Sequence, residues 1–253
     1  MRVTDKTDLE ILAQTPLFDS LSLSQIEEAT AAIKCDVVKY ERGSIVMHSG
    51  DPTDSSSLIM RGRADILTAP NLDGSQKIIV QIGVGEMYGE PFNCLSYSAE
   101  PITVIATTSL KVLKIDIRTI FDAECDKWVA RQLLTNLAIQ FAEKIIVFRN
   151  KVEVLSQPNL KMKILTTIKQ YAEYQNTIEP VIPFTQVSWA NYLNANRNTI
   201  ARNMKKLQEE GYVHIRGKHY RLLKTDNLMF VQRSSRSPQN VVHAKVKDSD
   251  RLA

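Results

Sequence analysis

Long apolar runs, paired cysteines and catalytic signatures are all missing from this 253-residue sequence. No stretch of about 18 apolar residues occurs, so we expect no transmembrane helix, and the charges near the N-terminus argue against a signal peptide. The three cysteines, Cys35, Cys94 and Cys125, lie far apart and form no CxxC pair for a metal or a redox disulfide. These absences predict a cytoplasmic protein that makes no contact with a membrane.

Enzyme motifs are absent as well. We find no Walker loop, no HExxH helix and no nucleophile elbow, so we expect no enzyme, no catalytic residue and no metal site. Hydrophobic residues make up 43% and charged residues 24% of the chain, which is ordinary for a globular protein and excludes collagen, a disordered chain and a disulfide-rich miniprotein. The length suits one large domain or two ordinary ones.

The net charge of +4 is unevenly distributed along the chain. Residues 1–184 carry −4, residues 185–225 carry +6 and residues 226–253 carry +2. A basic block on an otherwise mildly acidic chain favours a nucleic-acid-binding module. A solvated basic face is the alternative.

Residues 36–116 are rich in β-forming residues. Seven short segments of this kind are separated by turn residues, such as Arg42-Gly43 and Asp73-Gly74, and they follow a region of short helices at 17–32. Short strands at regular spacing predict an antiparallel barrel or jelly roll.

Residues 117–156 contain no glycine or proline, and a helix over about 124–156 would be about 50 Å long. A barrel of about 80 residues cannot cover it, so we predict that a second copy of the chain does, through a heptad seam. Packing on its own barrel is the alternative, and both can hold on different faces. The predicted seam consists of Leu134, Leu137, Phe141, Ile145, Phe148, Val152 and Leu155.

Residues 185–222 predict a winged helix–turn–helix. Thr185 is a suitable N-cap for a first helix, residues 194–196 form the break, and Gly211 ends a second helix that begins near Arg197. We expect Val187, Ala190 and Leu193 to form the apolar face of the first helix, and Ile200, Met204 and Leu207 that of the second. Residues 212–215 and 219–222 then form a hairpin whose basic tip suits phosphates.

The order of a β-roll, a long helix and a winged helix–turn–helix resembles the CRP/FNR superfamily of bacterial transcription regulators over residues 15–225. The motifs that carry the resemblance lie at 39–43, 49–51, 59–62, 85–90 and 196–202. It implies an α+β fold with an N-terminal antiparallel β-roll (a cupin-like jelly roll), a long dimerisation helix and a C-terminal winged helix–turn–helix. The predicted division is a sensor roll at 1–122, a dimer helix at 123–157, a DNA-binding domain at 158–228 and a flexible tail at 229–253.

The resemblance also implies DNA contacts. Arg197 matches the guanine-reading arginine of the family, and Arg202 matches a second basic contact. Asn198 is a departure, because the family usually has an acidic residue there and an asparagine suits adenine instead. The predicted DNA-binding residues are Thr185, Gln186, Asn196, Arg197, Asn198, Thr199, Arg202, Lys206 and Lys218.

The nucleotide clamp of the family is only half present. The cyclic-nucleotide members hold the ribose and phosphate with Gly-Glu and then Arg-Ser or Arg-Thr; here Gly89-Glu90 is retained, whereas Glu100-Pro101 replaces the second pair. An acid in place of the cation should repel cyclic AMP, so we predict another effector or none, although Glu90 could equally be a plain turn residue. The candidate pocket residues are Met87, Gly89, Glu90, Cys94, Glu100, Phe148 and Arg149.

No cofactor is predicted. An iron–sulfur cluster needs about four clustered cysteines, and haem needs an axial ligand for which only His48 and Cys94 are candidates; Cys94 could also act as a thiol sensor.

The sequence thus predicts a homodimeric regulator that binds double-stranded DNA, with an unidentified small-molecule effector and RNA polymerase as further candidate partners. One alternative is a DNA-binding protein that needs no signal. The other is a small-molecule-sensing module whose winged domain contacts proteins rather than DNA.

Overall fold

The computed structural model describes residues 3–52, 54–95, 99–121 and 126–225. The chain divides into two compact units, Met1–Phe141 and Ala142–Ala253, and each is described by itself. The predicted tail at 229–253 and Cys125 lie outside the described residues. In the part that the structure describes, no helix has the length and apolar character needed to cross a membrane.

The first unit opens with helices. They are α1 (Lys6–Leu12), a short 3-10 turn (Pro16–Phe18) and α2 (Leu23–Ala32). Ser22 caps α2 in a capping box, because its hydroxyl accepts the Gln25 N–H while the Gln25 side chain accepts the Ser22 N–H. Helix α1 was not predicted, since its charged residues obscure the buried Leu9 and Leu12.

Within the described residues, eight strands form the roll. They are β1 (Cys35–Tyr40), β2 (Ile45–Met47), β3 (Ser56–Arg61), β4 (Ala64–Thr68), β5 (Ile78–Ile82), β6 (Met87–Tyr88), β7 (Ile102–Ala106) and β8 (Leu110–Ile115). They make two antiparallel four-stranded sheets, in the orders β1-β8-β3-β6 and β2-β7-β4-β5. The antiparallel roll is therefore confirmed, and the two-residue strand β6 is an addition to it.

Strand β8 is central to the first sheet, because it pairs with β1 on one side and with β3 on the other. Val112 and Leu113 on successive positions are both fully buried, as expected for a strand that is covered on both faces. Lys111 on the same strand forms an ion pair with Asp8, which attaches α1 to the roll. Two short helices complete this unit, α3 (Glu90–Leu95) and α4 (Arg118–Phe121).

The long helix α5 spans Lys127–Leu155, which is about 44 Å at 1.5 Å per residue. Within the first unit, Val129, Leu133 and Leu137 pack into the core. Leu137 is therefore a correction to the predicted seam: it is 4% exposed and has almost no free surface for a partner. Ala138, one position later, is exposed and continues the 3-and-4 spacing from Phe141.

The second unit contains α6 (Leu160–Gln175), α7 (Gln186–Tyr192), α8 (Arg197–Glu209), β9 (Val213–Arg216) and β10 (His219–Leu222). Strands β9 and β10 pair in the predicted hairpin. The loop at 176–183 lies along β10: the Tyr220 N–H donates to the Pro180 carbonyl at 3.0 Å, and the Leu222 N–H donates to the Ile178 carbonyl at 2.8 Å. This loop therefore forms a third backbone segment beside the two strands of the wing.

An aromatic cluster holds α7 in place. Phe184 stacks on Tyr192 with ring centroids 5.0 Å apart, and Trp189, 1% exposed, meets Tyr220 edge to face at 5.5 Å. Val187 is 52% exposed, so its predicted place on the apolar face of α7 was wrong. The indole of Trp189 occupies that face.

Candidate DNA interface and buried acid pair

Helix α7 begins at the predicted N-cap. The Thr185 hydroxyl oxygen accepts the Ser188 N–H at 3.1 Å, which satisfies one of the free N–H groups of the first turn. Gln186 is the first helical residue and is exposed. Thr185 is half-buried and engaged in this cap, whereas the side chain of Gln186 is directed to solvent.

The turn between α7 and α8 depends on two asparagines. Asn194 adopts a left-handed backbone with φ of 51°, which asparagine tolerates better than most residues. Asn196 then caps α8, because its side-chain oxygen accepts the Asn198 N–H at 2.9 Å. Asn196 was predicted as a DNA contact, and the structure shows its role as the residue that starts the helix.

Helix α8 has one buried and one polar face. Ile200, Met204 and Leu207 are buried as predicted. On the other side of the helix, the predicted residues Arg197, Asn198, Arg202 and Lys206 are exposed and Thr199 is half-buried. The helix therefore presents cations and an amide to solvent at the spacing of one helical face, which is the arrangement that contacts base edges and phosphates in a major groove.

Two exposed basic residues on this surface were not among the predicted contacts. Lys205 lies on the outward face of α8, where its ammonium is 3.7 Å from the Glu209 carboxylate. Arg216 is the last residue of β9, next to the wing turn at Gly217, whose φ is +62°. Its tip position and charge resemble those of Lys218, and this is the signal that could have identified it. Lys218 is exposed as well.

In the first unit, the predicted clamp residues lie at the start of α3. Gly89 has a φ of +80° and links β6 to the helix. Glu90 is the first residue of α3 and is only 3% exposed. Met87 on β6 is buried, and Cys94 in α3 is half-buried.

Glu100 is the second buried acid. It is 2% exposed, and among the described residues its Oε2 has no hydrogen-bond partner. Its backbone is held by the loop at 50–51: the Gly50 N–H donates to the Glu100 carbonyl at 2.7 Å, and the Glu100 N–H donates to the Asp51 carbonyl at 3.0 Å. Burial and the charge of Glu90 raise the pKa of Glu100 from 4.5 to about 7.

Neither described cysteine is an activated thiol. Burial raises the pKa of Cys35 to about 11, and burial followed by the charge of Glu90 raises the pKa of Cys94. His48, the other haem-ligand candidate, is exposed. Across residues 3–52, 54–95, 99–121 and 126–225, no group of three His, Cys, Asp or Glu side chains could hold a metal ion.

The remaining candidates lie on α5 in the second unit. Phe148 is 70% exposed, and Arg149 is exposed with its guanidinium 3.2 Å from the Asn150 side-chain oxygen. Ile145, Val152 and Leu155 are also exposed. Leu134 and Phe141 are half-buried against the core of the first unit.

Comparisons with known proteins agree with this architecture. The family description "Cyclic nucleotide-binding domain" matches residues 37–123, and "Crp-like helix-turn-helix domain" matches residues 163–230. A CRP-like cAMP-activated global transcriptional regulator of Mycobacterium tuberculosis is 25% identical over 218 residues, covering 83% of this chain and 92% of the relative. The cAMP-activated regulator CRP of Haemophilus influenzae is 20% identical over 215 residues, with 79% and 93% covered.

Among solved structures, the c-di-GMP responsive global regulator CLP of Xanthomonas campestris has the same fold. It superposes with a TM-score of 0.52 at 19% identity, and the match covers 81% of this chain and all of that one. Together with the roll, the long helix and the winged unit, these matches show that the chain belongs to the CRP/FNR superfamily and is a CRP-like transcription regulator with a helix–turn–helix DNA-binding domain.

Proposed function

We propose that this protein is a homodimeric regulator that binds a near-palindromic DNA site and acts by binding rather than by catalysis, in the bacterial cytoplasm. The observation that carries the proposal is the outward face of α8, where exposed cations and an amide lie opposite a fully buried apolar stripe. Two such helices would fit successive major grooves about 34 Å apart.

The dimer is supported by α5. In the second unit, three large apolar side chains of α5 are between 47% and 70% exposed and follow one another at steps of 3 and 4. They are Ile145, Phe148 and Val152. Large apolar side chains at this spacing rarely remain in water on a helix, and a second copy of the same helix covers them symmetrically.

The proposed ligand is not cyclic AMP, and the protein could also work without one. Glu100 occupies the position at which the family resemblance implies an arginine for the nucleotide phosphate. Glu100 and Glu90 are both buried, so whichever of the two is ionised repels an anionic phosphate in a medium that screens charge weakly.

Selection of random duplex DNA by the purified full-length protein tests the DNA-binding proposal. We expect a palindrome with half-sites about one helical turn apart. An Arg197→Ala/Arg202→Ala variant should recover no motif, whereas Lys144→Ala, an exposed cation on α5, should recover the same motif as the parent. Failure of the parent to select any motif, alone and in cell extract, would contradict the proposal and favour protein partners.

Calorimetric titration with cyclic AMP tests the ligand proposal. We expect no saturable binding by the parent chain. A Glu100→Arg/Pro101→Ser variant restores the cation and hydroxyl of the family clamp, and we expect it to gain binding if charge is the reason. Micromolar binding of cyclic AMP by the parent would overturn the proposal.

A further inference from the structure

The hairpin of the wing has one buried and one exposed face. Its side chains alternate between the core and solvent along β9 and β10, as expected for a strand pair that is covered on one side only. Val213, Tyr220 and Leu222 pack in the core of the second unit together with Leu207 of α8. The opposite face, termed the wing face below, carries four exposed side chains that are cationic or become so on protonation. They are His214, Arg216, His219 and Arg221.

The register of the hairpin pairs each histidine of the wing face with an arginine. His214 lies opposite Arg221, and His219 lies opposite Arg216. Directly opposed side chains of an antiparallel pair share one face, with Cβ atoms about 4.5–5.5 Å apart. The two pairs are two residues apart along each strand, which is about 7 Å. The wing face therefore consists of two adjacent pairs, each with one imidazole and one guanidinium.

The loop at 176–183 borders the wing face on the side of β10. Val181 forms a bridge with His219, and this antiparallel register places Glu179 opposite Arg221. Glu179 is exposed and is the only charged residue in the sequence of this loop. One acid thus stands beside two arginines, so the net charge here is positive even before either histidine binds a proton.

The helices of the second unit lie on the other side of the hairpin, because α6 and α8 share the apolar core with β9 and β10. The acids at the end of α8 are near lysines. The Glu209 carboxylate lies 3.7 Å from the Lys205 ammonium, and Glu210 forms an ion pair with Lys161. These carboxylates therefore have cations of their own, and the wing face remains cationic.

The chemistry of the wing face depends on pH because histidine changes its charge between about pH 5 and 8. An imidazolium directly opposite a guanidinium is repelled by it. An anion that contacts both groups removes this repulsion and accepts charge-assisted hydrogen bonds from each of them. Binding of an anion and uptake of protons therefore favour each other on this face.

We propose that the wing face binds DNA phosphates beyond those reached by the tip of the wing, and that it binds them more tightly as its two histidines take up protons. The inference rests on the proposed function, in which the winged unit binds DNA. DNA suits this face by its charge and by position, since His219 directly follows Lys218 at the tip. The distance of about 7 Å between the two pairs corresponds to about two axial steps of 3.4 Å along one DNA strand.

Anisotropy titrations of the full-length protein at about pH 6 and about pH 8, at equal ionic strength, test the proposal. They use the selected site and a duplex of random sequence. We expect the parent to bind about tenfold more tightly at the lower pH, which is about 1.4 kcal/mol. The effect should be similar on both duplexes, because phosphates carry no sequence information. The slope of log affinity against log salt should be steeper at about pH 6, by about 0.9 for each imidazolium–phosphate contact.

Two pairs of substitutions fix the charge of the wing face. His214→Gln/His219→Gln cannot bind the protons, so at about pH 6 it should bind DNA no more tightly than the parent does at about pH 8. His214→Lys/His219→Lys keeps both charges, so at about pH 8 it should bind as the parent does at about pH 6. All four changes are at exposed positions, which favours folding of both variants.

The matched control is His48→Gln, at an exposed histidine of the first unit, and it should keep the pH response of the parent. His243→Gln, at a residue outside the described part of the chain, is expected to keep it as well. Both controls change a histidine to the same amide as the glutamine pair. They therefore distinguish the wing face from the remaining histidines of the chain.

Three results would overturn the proposal. They are a parent whose DNA affinity does not change with pH, an equal pH effect in the parent and the glutamine pair, and a lysine pair that binds no more tightly than the glutamine pair at the higher pH. Each would leave the wing face to another occupant, such as an acidic protein. The random duplex separates this proposal from the proposed function: a protein that selects no motif but binds this duplex with the expected pH response contradicts sequence-specific binding alone.

Discussion

Arg197 combines an exposed guanidinium with a fixed backbone position at the first turn of α8, which Asn196 caps. A bidentate arginine–guanine pair contributes about 1–3 kcal/mol of discrimination. We therefore expect Arg197→Ala to cost about 1–3 kcal/mol on the selected site and to relax one base position per half-site. Anisotropy titrations on single-base variants of that site measure both effects.

Arg216→Ala is the contrasting variant for Arg197. Arg216 is exposed at the tip of the wing, where we expect a phosphate contact, and phosphates carry no sequence information. Its loss should weaken binding to all sites by a similar factor. Unchanged base preference in Arg197→Ala would remove Arg197 from the base-reading role.

Glu100 makes the stability of the first unit depend on pH. The pKa of the Glu100 carboxyl rises from 4.5 to about 7 on folding, so the folded state binds the proton more tightly than the unfolded state. Its contribution is complete below the unfolded pKa and is lost as the pH rises through about 7. We expect the free energy of unfolding to be roughly 1–3 kcal/mol lower at about pH 8 than at about pH 5 on account of this group.

Urea unfolding of Glu100→Gln at both pH values checks this expectation. The amide cannot ionise, so the difference between the two pH values should shrink by that amount. Glu41→Gln, at an exposed carboxyl of the same unit, should leave it unchanged. If the stability of Glu100→Gln changes with pH as much as that of the parent, another group is responsible for the pH dependence.

At the scale of single elements, α5 offers a direct comparison of neighbouring positions. Phe148 lies on the predicted seam and is 70% exposed, whereas Ile146 is 44% exposed and points off the seam. Burying an unpaired carboxylate costs several kcal/mol, so we expect Phe148→Glu to raise the dimer dissociation constant at least roughly tenfold, or about 1.4 kcal/mol.

Ile146→Glu is the matched variant, since it adds the same charge to the same helix. Sedimentation of both variants over a range of protein concentrations separates the two cases. We expect Ile146→Glu to remain dimeric like the parent. Equal dissociation of both variants would indicate that the helix as a whole, and not this stripe, was disturbed.

At the scale of the whole molecule, we expect the uneven distribution of charge along the chain to make DNA affinity depend on salt. Residues 185–225 carry +6 on a chain with a net charge of +4. Proteins that neutralise phosphates release counterions, and the logarithm of the affinity then falls linearly with the logarithm of the salt concentration. We expect a steep slope, and Lys218→Ala should reduce it by about 1 for each phosphate contact that is lost.

Anisotropy at several salt concentrations measures this slope for the parent and for Lys218→Ala. Lys144→Ala, outside the basic block, is expected to leave the slope as it is in the parent. An affinity that hardly changes with salt would exclude phosphate neutralisation as the main source of binding. That outcome would favour the alternative in which the winged unit contacts proteins.

Local chemistry was enough to predict much of the winged unit. Each signal in this unit depends on residues that are close together in the sequence, so the pattern can be recognised along the chain. The signals are the Thr185 cap, the asparagines at the turn, the stripe of Ile200, Met204 and Leu207, and Gly211. The same holds for the strands of the roll, whose β-branched runs are separated by turns. The structure confirmed these elements with shifts of one or two residues.

Burial and long-range contacts followed only from tertiary structure. Leu137 and Val187 carry the residue types of a seam and of an apolar face, yet one is buried in its own unit and the other is exposed, because periodicity cannot say which neighbour covers a stripe. Glu90 and Glu100 are ten residues apart, and both are buried because the sheets bring distant segments together. The same packing places the side chain of Asn93 beside that of Asp116, 23 residues later in the chain. Exclusion of solvent raises the pKa of Glu100 and makes hydrogen-bond partners necessary for the buried amide of Asn93. It results from the packing of the whole roll, so no short segment of the sequence predicts it.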